Sequence, residues 1–337
     1  MPAALAPVVV VLTPFAGSLM ISGESPQVID HRPPSGAREL RLSAVVPTRN
    51  RHAHATACVA SILTNPELLE LIVVDQSDGK ETEQALANVL DSRLRYVRTD
   101  TRGVTSARNI GIELSQGDLV AFTDDDCRVP VNWVASIISV FSADPGAVLV
   151  CGKVQVPPEL WERGFTESFE AKEREWRGRY PPFGQDWGIT ANMSMRRDVV
   201  QKLGSFDPFL GAGSPLRSGG EPDLIFRVLK AGLKVVNANE VVVDHLGVRP
   251  YGEAASKLMR GYGFGTGAAL FKHVRVGDRA ALALYLRFLR QNLVRIGGSV
   301  LRTGRPTGLG YLLGFVSGTA ASYKFDIDRQ QRRYKKR

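Results

Sequence analysis

The sequence predicts an α/β fold with a mostly parallel sheet covered by helices on both faces, followed by a C-terminal helical extension. Short runs of β-branched and apolar residues alternate with segments of helical spacing between residues 42 and 123, which is typical of a parallel sheet. Some of these runs, such as "LIVV" at 71–74, contain no polar residue. Such runs are expected for strands that are buried on both faces.

The alternation predicts each element in turn. The predicted strands of the first part cover 42–48, 71–76, 94–99, 118–123 and 147–156. The predicted helices between them cover 54–65, 82–90 and 105–115. Beyond residue 157 the pattern is mixed, with a helix near 222–231 and a strand near 234–243. We therefore divide the chain into an N-terminal extension, an alternating segment, a mixed segment and a helical region with a basic tail, at 1–40, 41–157, 158–250 and 251–337.

Composition limits the partners and the compartment. The 337 residues carry a formal net charge of +9, which favours anionic partners such as nucleic acid, anionic lipid or a phosphorylated small molecule. No nucleic-acid-binding motif is recognisable, so we expect no nucleic acid. Cys58, Cys127 and Cys151 form neither a zinc pattern nor a disulfide framework, and this cysteine usage predicts a reducing, cytoplasmic location.

Three consecutive carboxylates, Asp124, Asp125 and Asp126, follow the predicted strand at 118–123. The stretches "PTRNR" and "DQSDG" follow two other strands. Because ligands of an open parallel sheet bind beyond the carboxyl ends of its strands, we expect these stretches to meet in one crevice. The aspartates would then hold Mg²⁺ or Mn²⁺ together with substrate phosphates. The alternative interpretation is a solvated acidic turn or helix start, where aspartates are also favoured.

Six stretches that occur in this order resemble the successive motifs of family 2 glycosyltransferases, which have the GT-A fold. They are "VVPTRNR", "LIVVDQSDG", "GVTSARNIGI", "DLVAFTDDDC", "ANMSMRRDVVQKLGSFDPFLGAG" and "SGGEPDLIFRVLKAG". Each motif is weak by itself, but the ordered set from Leu42 to His245 is specific for the family. The resemblance implies inverting, metal-dependent transfer from a nucleotide-diphosphate sugar to an acceptor hydroxyl.

The resemblance also implies residue roles on the donor side. Asp124 and Asp126 match the DxD-type metal site, with Asp125 beside the donor, although which of the three ligates directly stays open. His245 matches a histidine that joins the metal or contacts the diphosphate, with a structural histidine as the alternative. Further positions match the segments around the nucleotide: Pro47, Thr48, Arg49, Asp75, Arg108 and Asn109. For Arg108, a cation on the surface of a helix is the alternative.

One position departs from the family pattern. The second acidic residue that often follows strand two is replaced by Gln76. A glutamine accepts a hydrogen bond from a uracil ring more weakly than a carboxylate and can also donate one. Uridine, guanosine and thymidine donors therefore all stay open.

On the acceptor side, the resemblance implies a carboxylate base. Glu221 matches the second acidic position of the family's "ED" motif, the first being Gly220 here, and Asp223 on the first helical turn is the alternative. A base of this kind takes the proton of the attacking hydroxyl. Trp187 and Asn192 match the segment that lines the acceptor pocket, with a core tryptophan as the alternative for Trp187. The acceptor is a sugar, a lipid-linked or a small-molecule compound, in polysaccharide, glycolipid or natural-product synthesis.

The segment 281–301 has leucines at helical spacing with arginines between them. Such a helix either lies on an anionic membrane surface or packs on the catalytic part, and the basic tail "RQQRRYKKR" adds attraction to anionic lipid. We expect a cytoplasmic protein, with peripheral attachment to the inner face of the plasma membrane as a hypothesis.

Two other functions stay open from the sequence. A nucleotidyltransferase also combines an α/β sheet with metal-binding aspartates, but the loop after strand one, "PTRNRHAHA", lacks the glycines of a phosphate loop. A non-catalytic nucleotide-sugar-binding scaffold is the second. A dehydrogenase is disfavoured because no G-x-G-x-x-G follows the first strand.

Overall fold

The computed structural model describes residues 39–181, 187–249 and 251–337, together with the backbone of Leu19–Met20. Most of the predicted N-terminal extension therefore lies outside the described residues, as do Gln185 and Asp186 of the "QDWG" stretch.

The strands agree closely with the alternation in the sequence. They are β1 (Leu19–Met20), β2 (Leu42–Thr48), β3 (Leu68–Asp75), β4 (Leu94–Arg98), β5 (Leu119–Phe122), β6 (Cys127–Arg128), β7 (Ala147–Gln155), β8 (Glu175–Trp176), β9 (Arg179–Tyr180), β10 (Met193–Arg196), β11 (Lys234–His245), β12 (Asp326–Asp328) and β13 (Arg333–Lys335).

The helices lie between and after these strands. They are α1 (His52–Leu63), α2 (Glu81–Leu86), α3 (Val104–Leu114), α4 (Trp133–Ala143), α5 (Arg197–Lys202), α6 (Gly220–Lys230), α7 (Glu253–Arg275), α8 (Arg279–Thr303) and α9 (Leu309–Ala321). Single 3₁₀ turns occur at Pro158–Arg163, Thr190–Asn192 and Ser322–Lys324.

The main sheet has the strand order β4-β3-β2-β5-β10-β7-β11-β6, and β8 pairs with β11. Strands β4, β3, β2 and β5 pair in parallel, as do β7 and β11. β10 runs antiparallel between β5 and β7. The sheet is therefore mostly parallel in its first half, as predicted, but an antiparallel strand from the mixed segment joins its two halves.

Helices cover both faces of this sheet. Along β2, Leu42, Ala44 and Val46 pack into one apolar cluster with α1 and α4, while Val45 packs into a second cluster with α3 and α6. This division follows from the alternation of side chains along a strand. The α3 face lies very close to β2, since a Cβ at Gly111 would approach Val45 Cγ1 to 2.3 Å.

The C-terminal region is helical, as predicted, and α7 packs against both α8 and α9. Phe288 of α8 stacks on Phe315 of α9, with 4.6 Å between the ring centroids. The basic tail is partly folded. β12 and β13 form a hairpin that buries Tyr334, so part of the tail belongs to the core.

Within the described ranges, none of the helices combines the length and the apolar character that crossing a bilayer requires.

A buried group of charges connects α6 to α7. The Lys272 ammonium lies 2.6 Å from Asp223 and 2.7 Å from Asp207, and all three side chains are fully buried. Arg227 and His273 also donate hydrogen bonds to Asp223. Burial alone would raise the pKa of Asp223, but the charges of Lys272 and Arg227 hold it well below its usual range. The C-terminal helices are thus attached to the sheet domain by ion pairs that solvent does not reach.

This arrangement predicts a large loss of stability in Lys272→Met. Two carboxylates would stay buried without their shared cation, which costs about 3–5 kcal/mol when one partner of a buried pair is removed. Lys202→Met is the matched control, because the Lys202–Asp198 pair is solvent-exposed and such pairs contribute about 0–1 kcal/mol. Urea denaturation of both variants measures the difference. Equal denaturation midpoints for the two variants would contradict the role of Lys272.

Candidate active site

The carboxyl ends of β2, β3 and β5 meet at one edge of the sheet, as the sequence predicts. Asp124, Asp125 and Asp126 occupy the turn between β5 and β6. Asp125 and Asp126 are largely buried, whereas the Asp124 side chain keeps 29% of its exposure. The three aspartates therefore do not form a fully solvent-exposed turn.

Arg51 is the main counter-ion of the two buried carboxylates. Its Nη1 lies 3.0 Å from Asp125 Oδ1 and 2.9 Å from Asp126 Oδ2. Thr48, at the end of β2, donates a hydrogen bond of 2.8 Å to the other oxygen of Asp125. Burial raises the pKa of Asp125 although the Arg51 charge opposes this. Arg51 was not among the residues singled out from the sequence.

His245 holds Asp126 from the other side. Its Nε2 lies 3.1 Å from Asp126 Oδ1, and its Nδ1 lies 2.9 Å from the carbonyl oxygen of Glu167. Burial lowers the pKa of His245, but the hydrogen bond and charge of Asp126 outweigh burial and raise it to about 9. Both ring nitrogens therefore donate. Gly247 lies next to this pair. Any larger residue at this position would displace the Asp126 carboxylate, since a Cβ there would approach Asp126 Oδ2 to 2.1 Å.

Arg108 connects the acidic turn to α6. One of its nitrogens lies 2.8 Å from Asp124 and another 3.3 Å from Glu221. Arg108 is 3% exposed, so it is a buried bridge rather than a surface cation. Thr190 also donates a hydrogen bond of 2.6 Å to Glu221 Oε1. The second oxygen of Glu221, Oε2, accepts no hydrogen bond from the described residues, and the side chain is 23% exposed.

The structure separates the two candidate bases. Glu221 stands on the first turn of α6 beside Asp124, whereas Asp223 points into the buried charge cluster with Lys272, Arg227 and His273. Asp223 is 2% exposed and its oxygens are occupied by these cations. The position of Asp223 therefore favours a structural role, in which it holds α6 and α7 together, over contact with a substrate.

The residues after β3 are engaged within the protein. Asp75 is fully buried and accepts hydrogen bonds from Tyr96 Oη and the Ser77 backbone, each of 2.7 Å. The Gln76 amide donates to Thr101 and to the Gly103 carbonyl. Both side chains thus fix the floor of the crevice, and neither presents a charge to it. The expectation that Asp75 contacts a nucleoside directly does not fit this burial.

Other residues from the motifs also have internal partners. Asn109 is paired with both backbone groups of Phe206. Asn192 accepts from Trp133 Nε1 and donates to the carbonyls of Lys153 and Val241. Trp187 is 8% exposed within the apolar core, which supports the core interpretation.

The two remaining donor-side residues differ in exposure. Pro47 is buried inside β2. Arg49 is exposed and pairs with Asp78 at 3.2 Å. Of these two residues, only Arg49 has a side chain that a ligand could reach from solvent.

A divalent cation would find suitable ligands here. Asp126, Cys127 and His245 offer ligand atoms that lie within 4.8 Å of one another, and Asp124 is two residues away. Burial raises the pKa of the Cys127 thiol well above its usual value, so Cys127 is a poor ligand at neutral pH. Carboxylate oxygens suit Mg²⁺ or Mn²⁺, whereas an imidazole nitrogen is a ligand for transition-metal ions rather than for Mg²⁺. The carboxylates of the donor set thus fit the predicted metal, provided that Arg51 releases Asp126, and His245 would join them only after its Nε2 has lost its proton.

A cavity of about 620 Å³ adjoins Asp126. It lies between the start of α1 and the segment 246–249, and three cations, Arg51, Arg163 and Arg249, line it. No side chain caps the N-terminus of α1, where an anion is electrostatically favoured. The cavity therefore suits a phosphate-bearing compound.

Sequence reasoning missed Arg51, Thr190, Arg163 and Arg249. Arg51 carries a signal, because it follows a strand end directly. The others lie far along the chain from their partners, and no spacing indicates those contacts.

Comparison with known proteins agrees with this geometry. Residues 43–204 match the family model described as Glycosyl transferase family 2. A Glucosyl-dolichyl phosphate glucuronosyltransferase of Haloferax volcanii is 26% identical, covering 61% of this chain and 69% of that protein. Glycosyltransferase AglE of the same organism is 27% identical, covering 77% and 88%.

A solved structure resembles the fold. It is a mannosyltransferase from Pyrobaculum calidifontis in complex with GDP-Man and Mn²⁺, with a TM-score of 0.54 and 16% identity. The similarity covers 87% of this chain and 78% of that one.

The position of Arg51 predicts that it competes with a metal ion. In Arg51→Gln we expect Mn²⁺ to bind about tenfold more tightly without nucleotide, because a charge-assisted pair of about 1.5 kcal/mol no longer has to break. Isothermal titration calorimetry measures the affinity. Arg49→Gln is the control, since Arg49 pairs with the exposed Asp78 and should leave Mn²⁺ affinity unchanged. Unchanged or weaker binding in Arg51→Gln would show that Arg51 does not compete.

Proposed function

Because residues 43–204 match the model of Glycosyl transferase family 2, we propose that the chain moves a sugar from a nucleotide-diphosphate sugar to an acceptor hydroxyl with inversion at the anomeric carbon. One observation carries the proposal. Arg108 holds Asp124 and Glu221 on either side of its guanidinium, at the carboxyl ends of β2, β3 and β5. A metal-site carboxylate and a second, partly exposed carboxylate therefore share one crevice.

Glu221 is our candidate for the general base. Its Oε1 is fixed by Thr190 and Arg108, which orients the carboxylate and leaves Oε2 to accept the proton of the attacking hydroxyl. A general base of this kind has to act as the carboxylate. Inversion follows if the hydroxyl attacks from the face opposite the nucleotide.

We propose that Asp124, Asp126 and His245 hold the metal, Mg²⁺ or Mn²⁺. When bound, the metal neutralises the diphosphate leaving group. In its absence Arg51 neutralises Asp125 and Asp126. When the metal binds, we propose that Arg51 leaves these carboxylates and turns towards the cationic cavity. There it joins Arg163 and Arg249 in binding substrate phosphate groups.

The nucleotide base would lie over the loop at Thr48 and Arg49 and the floor formed by Asp75 and Gln76. Gln76 uses its amide nitrogen internally, so its carbonyl oxygen is the group left for a base. That oxygen accepts a hydrogen bond from a uracil, guanine or thymine ring alike. The donor class therefore requires measurement.

The acceptor is proposed to be a lipid-linked sugar. The name of one relative specifies a glucosyl-dolichyl phosphate, and the cationic cavity beside Asp126 suits the phosphate of such a compound. We place the reaction in the cytoplasm, at the inner face of the plasma membrane, in the synthesis of a polysaccharide or glycolipid.

The donor class is testable by thermal unfolding. We expect one class among UDP-, GDP- and dTDP-sugars to raise the melting temperature, and only when Mn²⁺ is present, because the donor phosphates complete the metal shell. Asp126→Asn should abolish this shift. Asp198→Asn, at an exposed site, is the control and should retain it. The same shift with and without Mn²⁺ would contradict metal assistance.

The base is testable by kinetics with the donor class so identified. In Glu221→Gln we expect kcat to fall by about 10²–10⁴, the usual contribution of a general base, while donor affinity changes little. Glu113→Gln, an exposed change on α3, is the control. A product assay and donor calorimetry separate the two quantities. Retained turnover in Glu221→Gln would remove Glu221 from the mechanism, and absent turnover in the unmodified protein would favour a binding scaffold.

A further inference from the structure

The two last helices expose apolar side chains that nothing in the described protein covers. Leu286 and Leu293 of α8 are 53% and 54% exposed, and Leu313 and Val316 of α9 are similarly open. We define the outer face as these four residues together with Leu282 and Val300. A stripe of this size on a soluble surface marks an interaction site.

Helical geometry shows that the stripe on α8 is continuous. Leu282, Leu286, Leu293 and Val300 are separated by four, seven and seven residues, and such spacings place side chains on one side of an α-helix. The opposite side of α8, with Leu284 and Phe288 among others, is buried. α8 therefore packs on the protein with one side, as one of the two sequence interpretations expects, and presents a second apolar side outward.

The same region is strongly cationic. Between Arg279 and Phe325 the sequence contains no aspartate or glutamate. It carries arginines at Arg279, Arg287, Arg290, Arg295, Arg302 and Arg305. None of them forms an ion pair with the residues that the structure describes. Their charge is consequently available to an external anionic partner.

We propose that the outer face of α8 and α9 lies on an anionic lipid bilayer. Leucine and valine side chains would enter the boundary between head groups and acyl chains, and the arginines would reach lipid phosphates with their long side chains. A second copy of the chain is a poorer partner, because a symmetric contact would bring these unpaired arginines together. This inference rests on the proposed function in one respect: it identifies the surface through which the protein would attach to the proposed membrane.

Vesicle flotation of the full chain tests this proposal without donor, acceptor or metal. The probes are vesicles of phosphatidylcholine alone and of phosphatidylcholine mixed with phosphatidylglycerol. We expect binding to the mixed vesicles at low salt, weaker binding at high salt, and little binding to phosphatidylcholine alone. The double variant Leu286→Gln/Leu293→Gln should lower partitioning into mixed vesicles by at least about tenfold.

Two control variants match these changes elsewhere on the surface. Leu90→Gln/Val131→Gln removes two exposed apolar side chains and should bind normally. Arg287→Gln/Arg290→Gln should weaken binding, whereas Lys80→Gln/Lys202→Gln, which removes the same charge at exposed sites, should not. Thermal unfolding confirms that each variant is folded.

Two outcomes would overturn the proposal. One is that the unmodified protein fails to float with phosphatidylglycerol vesicles, or that the leucine variant floats equally well. The other is a dimer in light scattering that dissociates in the leucine variant, which would assign the outer face to a second copy. The flotation experiment contains no substrate. Either result therefore leaves the proposed transferase activity untouched, and the kinetic assays test that activity separately.

Discussion

The acidic turn after β5 depends on cations that arrive from three distant parts of the chain. Arg51 follows β2, Arg108 stands on α3, and His245 ends β11. Without them, adjacent carboxylates with little access to water would repel one another and lose hydration. The sheet topology is what brings these cations together, because it directs the ends of β2, β5 and β11 to one edge.

The two arginines that contact the acidic turn, Arg51 and Arg108, differ in exposure and in their partners. Arg51 is half exposed and touches only Asp125 and Asp126, so it is able to leave when another cation arrives. Arg108 is buried and pairs with both Asp124 and Glu221, so it fixes the spacing between the proposed metal ligand and the proposed base. An exposed counter-ion, Arg51, beside a buried one, Arg108, would suit the proposed exchange of a metal-bound substrate at each turnover.

The buried charge cluster around Asp223 includes residues of the helix that carries Glu221. Asp223 lies two residues after Glu221 on α6 and is locked to Lys272 of α7. The helix that presents the proposed base is therefore anchored by the C-terminal region. The same region carries the outer face, whose exposed apolar side chains are open to the proposed bilayer.

The sequence by itself determined the alternation of strands and helices, the GT-A fold, the resemblance to family 2 glycosyltransferases and the acidic turn, because these depend on local periodicity and on contiguous motifs. The match to the family model confirms the resemblance. Only the tertiary structure separated Glu221 from Asp223. They lie two residues apart in the sequence, but Glu221 faces a crevice and Asp223 a buried ion cluster. The tertiary structure also revealed Arg51 and Thr190 as partners of the acidic groups and showed that Asp75, Asn109 and Asn192 have internal partners. These assignments depend on contacts between residues far apart in the chain, and no local pattern encodes such contacts.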